Sequence, residues 1–312
     1  MRVTYASIDA GRGGLADRER IFSMRLGFRP PTVIGVALAL FLGASVAPPA
    51  LAQQPNGRAG RGGVAGFIES RDPRVQNRTY HFADTNVELP LCVFVSSKVS
   101  KGTKSPLIVS LHGLGIGPGF MCQGKAIDLA EEGGYLLVAP MGYSVGGWYG
   151  SPVINTDRRG GPGAAAEQPA NLAELSEKDV LNVLAMIRKE FTVDDKRTYL
   201  MGHSMGGAGT LFLGSKHATE WAAIAAMAPA AFRLANDKPA ILNPLKETDV
   251  AVMVTQGDAD TLVPVAGTRA WIDAMKDLHV DYRYKEIPGA DHGSVIEQGM
   301  PDIFAFFKEH TK

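Results

Sequence analysis

A serine, an aspartate and a histidine stand in three separate glycine-containing segments in the second half of the chain. Ser204 is the centre of GHSMG, Asp260 lies in GDADTLVP, and His292 lies in GADHG. A serine hydroxyl is a weak nucleophile until an imidazole accepts its proton, and a carboxylate then orients that imidazole and stabilises its charge. The three residue types, in this order along the chain, predict a nucleophilic serine with His292 as its base and Asp260 as the acid.

The glycines around Ser204 fit a tight turn between a strand and a helix, which would expose the serine hydroxyl. An earlier segment, HGLG, follows an apolar run that reads as a strand. The backbone N–H groups of Leu114 and Met205 are predicted to form an oxyanion hole, which would bind the negative charge that develops on a substrate carbonyl. His203 lies within the turn itself, and His112 is expected to brace the loop that carries Leu114.

Short apolar runs alternate with helical patterns from residue 74 onward, which is typical of an α/β protein with a largely parallel sheet. The predicted strands are residues 80–83, 91–96, 106–111, 135–139, 198–201, 223–227, 251–255 and 282–287. The predicted helices are residues 124–132, a helix that starts at an S-x-x-D capping box of Ser176 and Asp179 and ends near residue 192, a helix after Ser204, and residues 266–278. The first two strands are expected to pair as a hairpin.

The segments HGLG, GHSMGG, GDADTLVP and GADHG together resemble the α/β-hydrolase superfamily, and the resemblance extends from Pro106 to Val295. With LIVSLHG, EKDVLNVL and VDDKRTYLMGHSMGG, the chain is similar to the polyhydroxybutyrate depolymerase and feruloyl esterase branch. The resemblance implies the α/β-hydrolase fold, with a mostly parallel eight-stranded sheet flanked by helices, and hydrolysis of carboxylic esters. The family pattern also selects Asp260 as the acid, and Asp258 is expected to cap a turn. Because that branch commonly carries more cysteines, a polymeric and a small ester both remain open as substrates.

The segment from Met141 to Asn171 is rich in glycine and carries Tyr143, Trp148 and Tyr149. Loops of this length commonly form a lid or a pocket wall. The three aromatic side chains are therefore predicted either to face an aromatic or polymeric substrate or to pin the loop to the body of the protein.

Residues 1–52 have the layout of a signal peptide. Arg25 and Arg29 precede the uncharged apolar run of residues 33–47, and small residues follow that run, which predicts cleavage after Ala52. The alternative is an uncleaved membrane anchor. We expect an exported protein, periplasmic or extracellular, with no stable membrane insertion after processing.

The remaining chain divides into a linker and one domain. Residues 53–65 are predicted to be a flexible linker and residues 66–312 the catalytic domain, while Met24 is an alternative start. The two cysteines, Cys92 and Cys122, are expected either to form a disulfide, which export would permit, or to remain separate buried thiols.

The composition argues against several classes of protein. The chain has 45% hydrophobic and 21% charged residues and a formal net charge of zero, so it lacks a uniform positive field that would attract nucleic acid. The sequence has no H-E-x-x-H or C-x-x-C motif, so we predict no metal and no cofactor. The oligomeric state is not predicted.

Two other functions remain open. A serine peptidase of the prolyl-oligopeptidase type shares the predicted triad but typically adds a propeller domain, for which this chain has no room. A non-catalytic binding protein on the hydrolase scaffold would be expected to have lost a member of the triad. The sequence favours an esterase over both.

Overall fold

The computed structural model describes residues 69–154, 169–235 and 237–312. Its strands are β1 Val75–Phe82, β2 Val87–Val95, β3 Ser105–Leu111, β4 Leu136–Pro140, β5 Val193–His203, β6 Ala223–Met227, β7 Ala251–Gly257 and β8 Tyr282–Ile287. Its helices are α1 Lys125–Gly133, α2 Leu172–Glu190, α3 Met205–Lys216, α4 Lys238–Glu247, α5 Val265–Asp277 and α6 Ser294–Glu309. Short 3-10 helices cover Pro118–Met121, Trp148–Gly150, Ala218–Glu220 and Ala231–Arg233.

All eight strands form one sheet in the order β1-β2-β4-β3-β5-β6-β7-β8. β1 pairs with β2 and β2 with β4 in antiparallel fashion, and the pairs from β4 through β3 to β8 are parallel. Strands β3, β4, β6 and β7 are buried along their whole length, because helices cover both faces of the sheet. The predicted eight-stranded, mostly parallel sheet and the opening hairpin are confirmed.

The two faces of the sheet carry separate cores. One face packs against α2, α3, α4 and α5, through side chains that include Val180, Leu211, Leu242 and Trp271. The other face packs against α1 and α6, through side chains that include Ile127, Phe304 and Phe307. Because parallel strands end at a common edge, the loops after β3, β5, β7 and β8 all open at the carboxyl edge of the sheet.

The two edge strands are polar on their outer faces. In β1 every residue between the two buried ends is exposed or half-buried, and in β8 exposed and half-buried residues alternate before the buried last residue. Arg78 of β1 forms an ion pair with Glu190 at 2.8 Å, and Lys285 of β8 forms one with Asp302. The sheet therefore ends in charged side chains on both sides.

The predicted start of α2 is wrong. The helix begins at Leu172, one turn before Ser176. Ser176 and Asp179 therefore lie within the helix rather than at its start, and both are buried. Helices α4 and α6 were not predicted. Each contains an internal proline, Pro244 and Pro301, and proline is read in a sequence as a helix breaker.

Cys92 of β2 and Cys122, which follows the 118–121 helix, are joined as a disulfide with their Cα atoms 6.6 Å apart. This bond ties the segment after β3 to the antiparallel side of the sheet. The predicted signal peptide and linker lie outside the described residues. Within the described ranges, no helix is long and apolar enough to cross a membrane.

Candidate active site

Ser204 lies in the sharp turn between β5 and α3, with φ 58° and ψ −114°. A non-glycine residue in such a conformation costs about 1–3 kcal/mol, so the surrounding structure must hold it there. Its N–H donates to the Met227 carbonyl oxygen, and its carbonyl oxygen accepts from the Ala230 N–H, each at 2.9 Å. A Cβ atom on Gly206 would clash with the Leu111 carbonyl oxygen, so the turn admits only glycine there.

The side chains of Asp260 and His292 meet at the ends of β7 and β8. Asp260 Oδ2 lies 2.7 Å from His292 Nδ1, and the Asp260 side chain is fully buried. The other carboxylate oxygen accepts the backbone N–H groups of Leu262 and Val263, both at 2.8 Å. Gln256, a residue that the sequence analysis missed, donates from Nε2 to Asp260 Oδ2 at 3.1 Å. The carboxylate is thus fixed on the Nδ1 side of the imidazole.

The charge of Asp260 is stabilised by these contacts. Burial raises the pKa of this carboxyl, but the hydrogen bonds from Val263, His292 and Leu262 outweigh burial and bring the pKa below its usual value. Asp258 has a different role, because its carboxylate accepts the Gly289 N–H at 2.7 Å and joins the loops after β7 and β8. The structure therefore brings Asp260, rather than Asp258, to His292.

The loop after β3 passes beside the serine. A Cβ atom added to Gly113 would lie 3.6 Å from Ser204 Cβ. The Leu114 side chain is 52% exposed. Met205 begins α3, so its N–H is one of the first-turn donors that have no acceptor within the helix, and no side chain caps this helix end. Met205 thus directly follows Ser204, and the loop that carries Leu114 passes beside the serine.

His112 and Tyr149 join the loop after β3 to the loop after β4. His112 is completely buried, with Nδ1 2.8 Å from the Gly113 carbonyl oxygen and Nε2 2.9 Å from the Met141 carbonyl oxygen. The Tyr149 hydroxyl donates to the His112 carbonyl oxygen at 3.0 Å. Burial lowers the pKa of His112, which favours the neutral ring. His112 therefore braces the loop that carries Leu114, as predicted.

The three aromatic residues of the loop after β4 differ in their surroundings. Tyr149 is only 1% exposed, so the expectation that it faces the substrate is wrong and its ring pins the loop to the core. Tyr143 is half-buried and packs against Phe82, with ring centroids 5.6 Å apart. Trp148 is half-buried against the core on the same face as α2. The pinning alternative therefore describes Tyr149 best.

Asp179 is a second buried carboxylate close to this loop. It accepts the Tyr143 backbone N–H at 3.0 Å and a hydrogen bond from the Tyr80 hydroxyl. Burial raises its pKa to about 6, because the donors around it only partly compensate for the loss of water. The sequence around Asp179 predicts a helix cap. Its contacts with Tyr80 and Tyr143 join distant segments, so no local sequence pattern predicts them.

A cavity of about 250 Å³ lies between the segment around Phe120 and the start of α6. Its walls run from Phe120 to Ala126 on one side and from Gly293 to Met300 on the other, and Gly293 directly follows His292. Across the part of the chain that the structure describes, no cluster of three or more His, Cys, Asp or Glu could hold a metal ion.

Comparison with known proteins identifies similar sequences. The family model Esterase, described as "Putative esterase", matches residues 84–295. The bifunctional acetylxylan esterase/xylanase XynS20E of Neocallimastix patriciarum is 30% identical to this chain over 122 residues. That match covers 39% of this chain but only 15% of the relative's length.

Solved structures with the same architecture are more distant in sequence. An S-formylglutathione hydrolase from Agrobacterium tumefaciens has a TM-score of 0.59 and 19% identity, with 76% of this chain and 95% of that chain covered. A CE1 ferulic acid esterase from Anaeromyces mucronatus, in complex with ferulic acid, has a TM-score of 0.58 and 18% identity, with 76% and 90% covered. At these identities the likeness concerns the fold, and it confirms the predicted α/β-hydrolase architecture.

Proposed function

Since the chain belongs to the Esterase family and is a carboxylic-ester hydrolase, we propose that it cleaves its ester with a triad of Ser204, His292 and Asp260. The observation that carries this proposal is the 2.7 Å contact between Asp260 and His292, whose ring also packs against His203, the neighbour of Ser204. A residue held at positive φ directly after a strand is the geometry that presents a serine nucleophile.

In the proposed reaction, the Ser204 oxygen attacks the ester carbonyl carbon while His292 Nε2 accepts the hydroxyl proton. The tetrahedral intermediate collapses, the carbon–oxygen bond to the alcohol breaks, and His292 returns the proton to the departing alcohol. Water then attacks the acyl-enzyme with His292 again as base, and the acid leaves as Ser204 regains its proton. Asp260 keeps the proton of the neutral ring on Nδ1 and stabilises the imidazolium.

The oxyanion hole of this mechanism comprises the backbone N–H groups of Leu114 and Met205. Both loops are held by backbone contacts: the Gly115 N–H donates to the Val145 carbonyl oxygen at 2.9 Å, and the turn before α3 is locked as described above. Preorganised donors of this kind need no rearrangement when charge develops on the substrate oxygen. Removal of one such donor commonly costs about 10²–10³ in kcat.

The proposed substrate is a carboxylic ester outside the cytoplasm, because residues 1–52 are proposed to act as a signal peptide that directs export. The relatives named for acetylxylan and ferulic acid make acetylated sugars and feruloyl esters the first compounds to test. The resemblance to polyhydroxybutyrate depolymerases adds a polyester film. A hydrolysis panel of p-nitrophenyl esters from acetate to palmitate, a feruloyl ester, an acetylated xylan and such a film would rank these classes.

The decisive test of the nucleophile is Ser204→Ala. This variant should lose nearly all ester hydrolysis and all labelling by a fluorophosphonate probe, because attack requires the serine oxygen. Ser97→Ala is the matched control, since Ser97 lies on the surface and bonds to Glu131. Undiminished labelling of Ser204→Ala would refute the proposal.

The same assays, with a peptide amide added to the panel, separate the two competing functions. A wild-type protein that hydrolyses peptide amides faster than esters would favour the peptidase, and a wild-type protein that neither labels nor hydrolyses would favour the binding protein. Either result would overturn the proposed function.

A further inference from the structure

His203, the residue before Ser204, contacts the backbone of the proposed base. Its Nε2 lies 2.7 Å from the carbonyl oxygen of His292. A carbonyl oxygen only accepts hydrogen bonds, so His203 carries its proton on Nε2. The contact therefore fixes both the tautomer of His203 and the backbone position of His292.

The ring of His203 also packs directly against the ring of His292. Their centroids are 4.5 Å apart with an interplanar angle of 48°, and Phe120 packs against His203 at 6.2 Å. His203 is 4% exposed. A Cβ atom on Gly113 would lie 3.5 Å from His203 Nδ1. His203 thus fills the space between the proposed base and the loop that carries the proposed oxyanion hole.

His203 stays neutral beside a ring that must become charged. Burial and the positive charge of His292 lower the pKa of His203 to about 4, although the hydrogen bond to the His292 carbonyl oxygen and the charge of Asp260 partly oppose them. Nδ1 is buried without a hydrogen-bond partner among the described residues, so no acceptor there stabilises a second proton on the ring. The imidazolium that forms at His292 during the reaction therefore lies against an uncharged aromatic face.

We propose that His203 is a positioning residue for the base, which holds His292 in register with Ser204 and Asp260 through its hydrogen bond to the His292 carbonyl oxygen. The proposal rests on the proposed function of His292. It differs from a packing role, because packing requires only a ring of the right size, whereas positioning requires a donor at the place of Nε2.

Three substitutions separate the donor from the ring. His203→Phe keeps a ring and removes the donor, so kcat per active site should fall roughly 10²-fold, the scale expected when a catalytic group moves by about 1 Å. His203→Gln places an amide N–H near the position of Nε2 and should restore most of kcat. His203→Asn carries the same amide one methylene shorter, cannot reach the carbonyl oxygen, and should resemble His203→Phe. KM should change little in all three.

Titration with a fluorophosphonate ester gives the concentration of competent active sites in each preparation. Because the maximal rate is divided by this concentration to give kcat, a loss of folded protein does not lower the kcat obtained for a variant. The acid limb of the kcat/KM profile supplies a second readout. In His203→Phe it should move to lower pH, because an imidazole held less firmly against the Asp260 carboxylate loses stabilisation of its charged form. A purely structural role would leave this limb in place.

His81→Phe is the matched control, because His81 is an exposed histidine on β1 that pairs with Glu88. If His203→Phe fails to fold, the comparison of Gln with Asn decides the question. Equal kcat per site in Gln and Asn, or wild-type kcat and an unshifted limb in Phe, would overturn the positioning role while Ser204→Ala remained inactive. An inactive wild-type protein would instead overturn the proposed function.

Discussion

Asp260 and Asp179 are both buried carboxylates that accept backbone N–H groups, yet their pKa values move in opposite directions. Asp260 also meets the imidazole of His292, which can carry positive charge, and its pKa falls below the usual value. Asp179 meets the neutral hydroxyl of Tyr80, and burial raises its pKa to about 6. The difference teaches that the direction of the shift depends on the balance between burial and hydrogen bonds: the bonds from Val263, His292 and Leu262 outweigh burial at Asp260, whereas burial outweighs the donors at Asp179.

The two aspartates also belong to different sides of the site. In the sheet, β7 and β8 lie on one side of β5, and β3 and β4 lie on the other. The β7–β8 side holds the proposed acid and base. The β3–β4 side holds the loop of the proposed oxyanion-hole residue Leu114 and the scaffold around it, which is secured by Asp179, by Tyr149 and by the disulfide. Changes at the proposed acid and base should affect the reaction directly, and changes at Asp179 or the disulfide should mainly affect stability.

The largest expected effect separates Asp260 from its neighbour. Asp260→Asn keeps the shape but favours the wrong imidazole tautomer, so kcat should fall about 10⁴-fold, as for the equivalent change in serine proteases. The measurement is kcat near pH 8, with folding checked by circular dichroism.

Asp258→Asn is the matched control for this prediction, because Asp258 contacts the Gly289 N–H rather than His292. It should cost less than about tenfold in kcat, since it perturbs a turn and leaves the imidazole tautomer alone. An inactive Asp258→Asn beside an active Asp260→Asn would contradict the assignment of the acid.

The next effect concerns the disulfide on the β3–β4 side. The bond between Cys92 and Cys122 closes a loop with a sequence separation of 30, which in the chain-entropy model stabilises the protein by roughly 3–4 kcal/mol. Reduction should lower the urea midpoint without moving the acid limb of kcat/KM. Ellman titration of the denatured, unreduced protein should find no free thiol, and two free thiols would contradict the disulfide.

The smallest expected effect is the contribution of Asp179 to the pH dependence of the free energy of unfolding. Its pKa of about 6 in the folded protein lies above the value of about 3.9 in an unfolded chain, so the folded state binds its proton more tightly. The free energy of unfolding should therefore fall as pH rises from about 4 to 6, by at most about 3 kcal/mol from this group, and stay lower above pH 6. Asp260, with its lowered pKa, contributes in the opposite direction.

The side chain in the variant Asp179→Asn does not titrate in this pH range. The free energy of unfolding of this variant should therefore lack the contribution that falls between about pH 4 and 6 in the wild type. Urea unfolding of the wild type and the variant at pH 4.5 and pH 7 measures the difference in slope. The stability of the variant relative to the wild type should improve at the higher pH. A parallel loss in both proteins would show that another group causes the pH dependence.

The sequence predicted the parts of this molecule that depend on local pattern. The buried strands appear as apolar runs, and the turn of Ser204 appears as glycines at fixed spacing, because a close approach to Leu111 leaves no room for a side chain. The choice between Asp258 and Asp260 rested on the spacing of the family pattern that the segment resembles. Each of these signals lies within a few residues of the feature it predicts.

The parts that failed depend on contacts between distant segments. Asp179 looked like a helix cap, although its partner Tyr80 lies 99 residues away. Tyr149 and Trp148 look alike in a glycine-rich loop, and only the packing around α3 decides which one is buried. Gln256 and His203 contact Asp260 and His292 in the folded protein, and no local pattern marks them as positioning residues.

The polar edges of the sheet bear on how copies of this protein behave at high concentration. An unpaired edge strand can recruit a strand from another molecule and begin aggregation. A chain approaching β1 or β8 would have to break ion pairs such as Arg78 with Glu190 or Arg283 with Glu309 and bury their charges. The hydrophobic strands that build the interior are thus flanked by two strands that discourage intermolecular β-pairing.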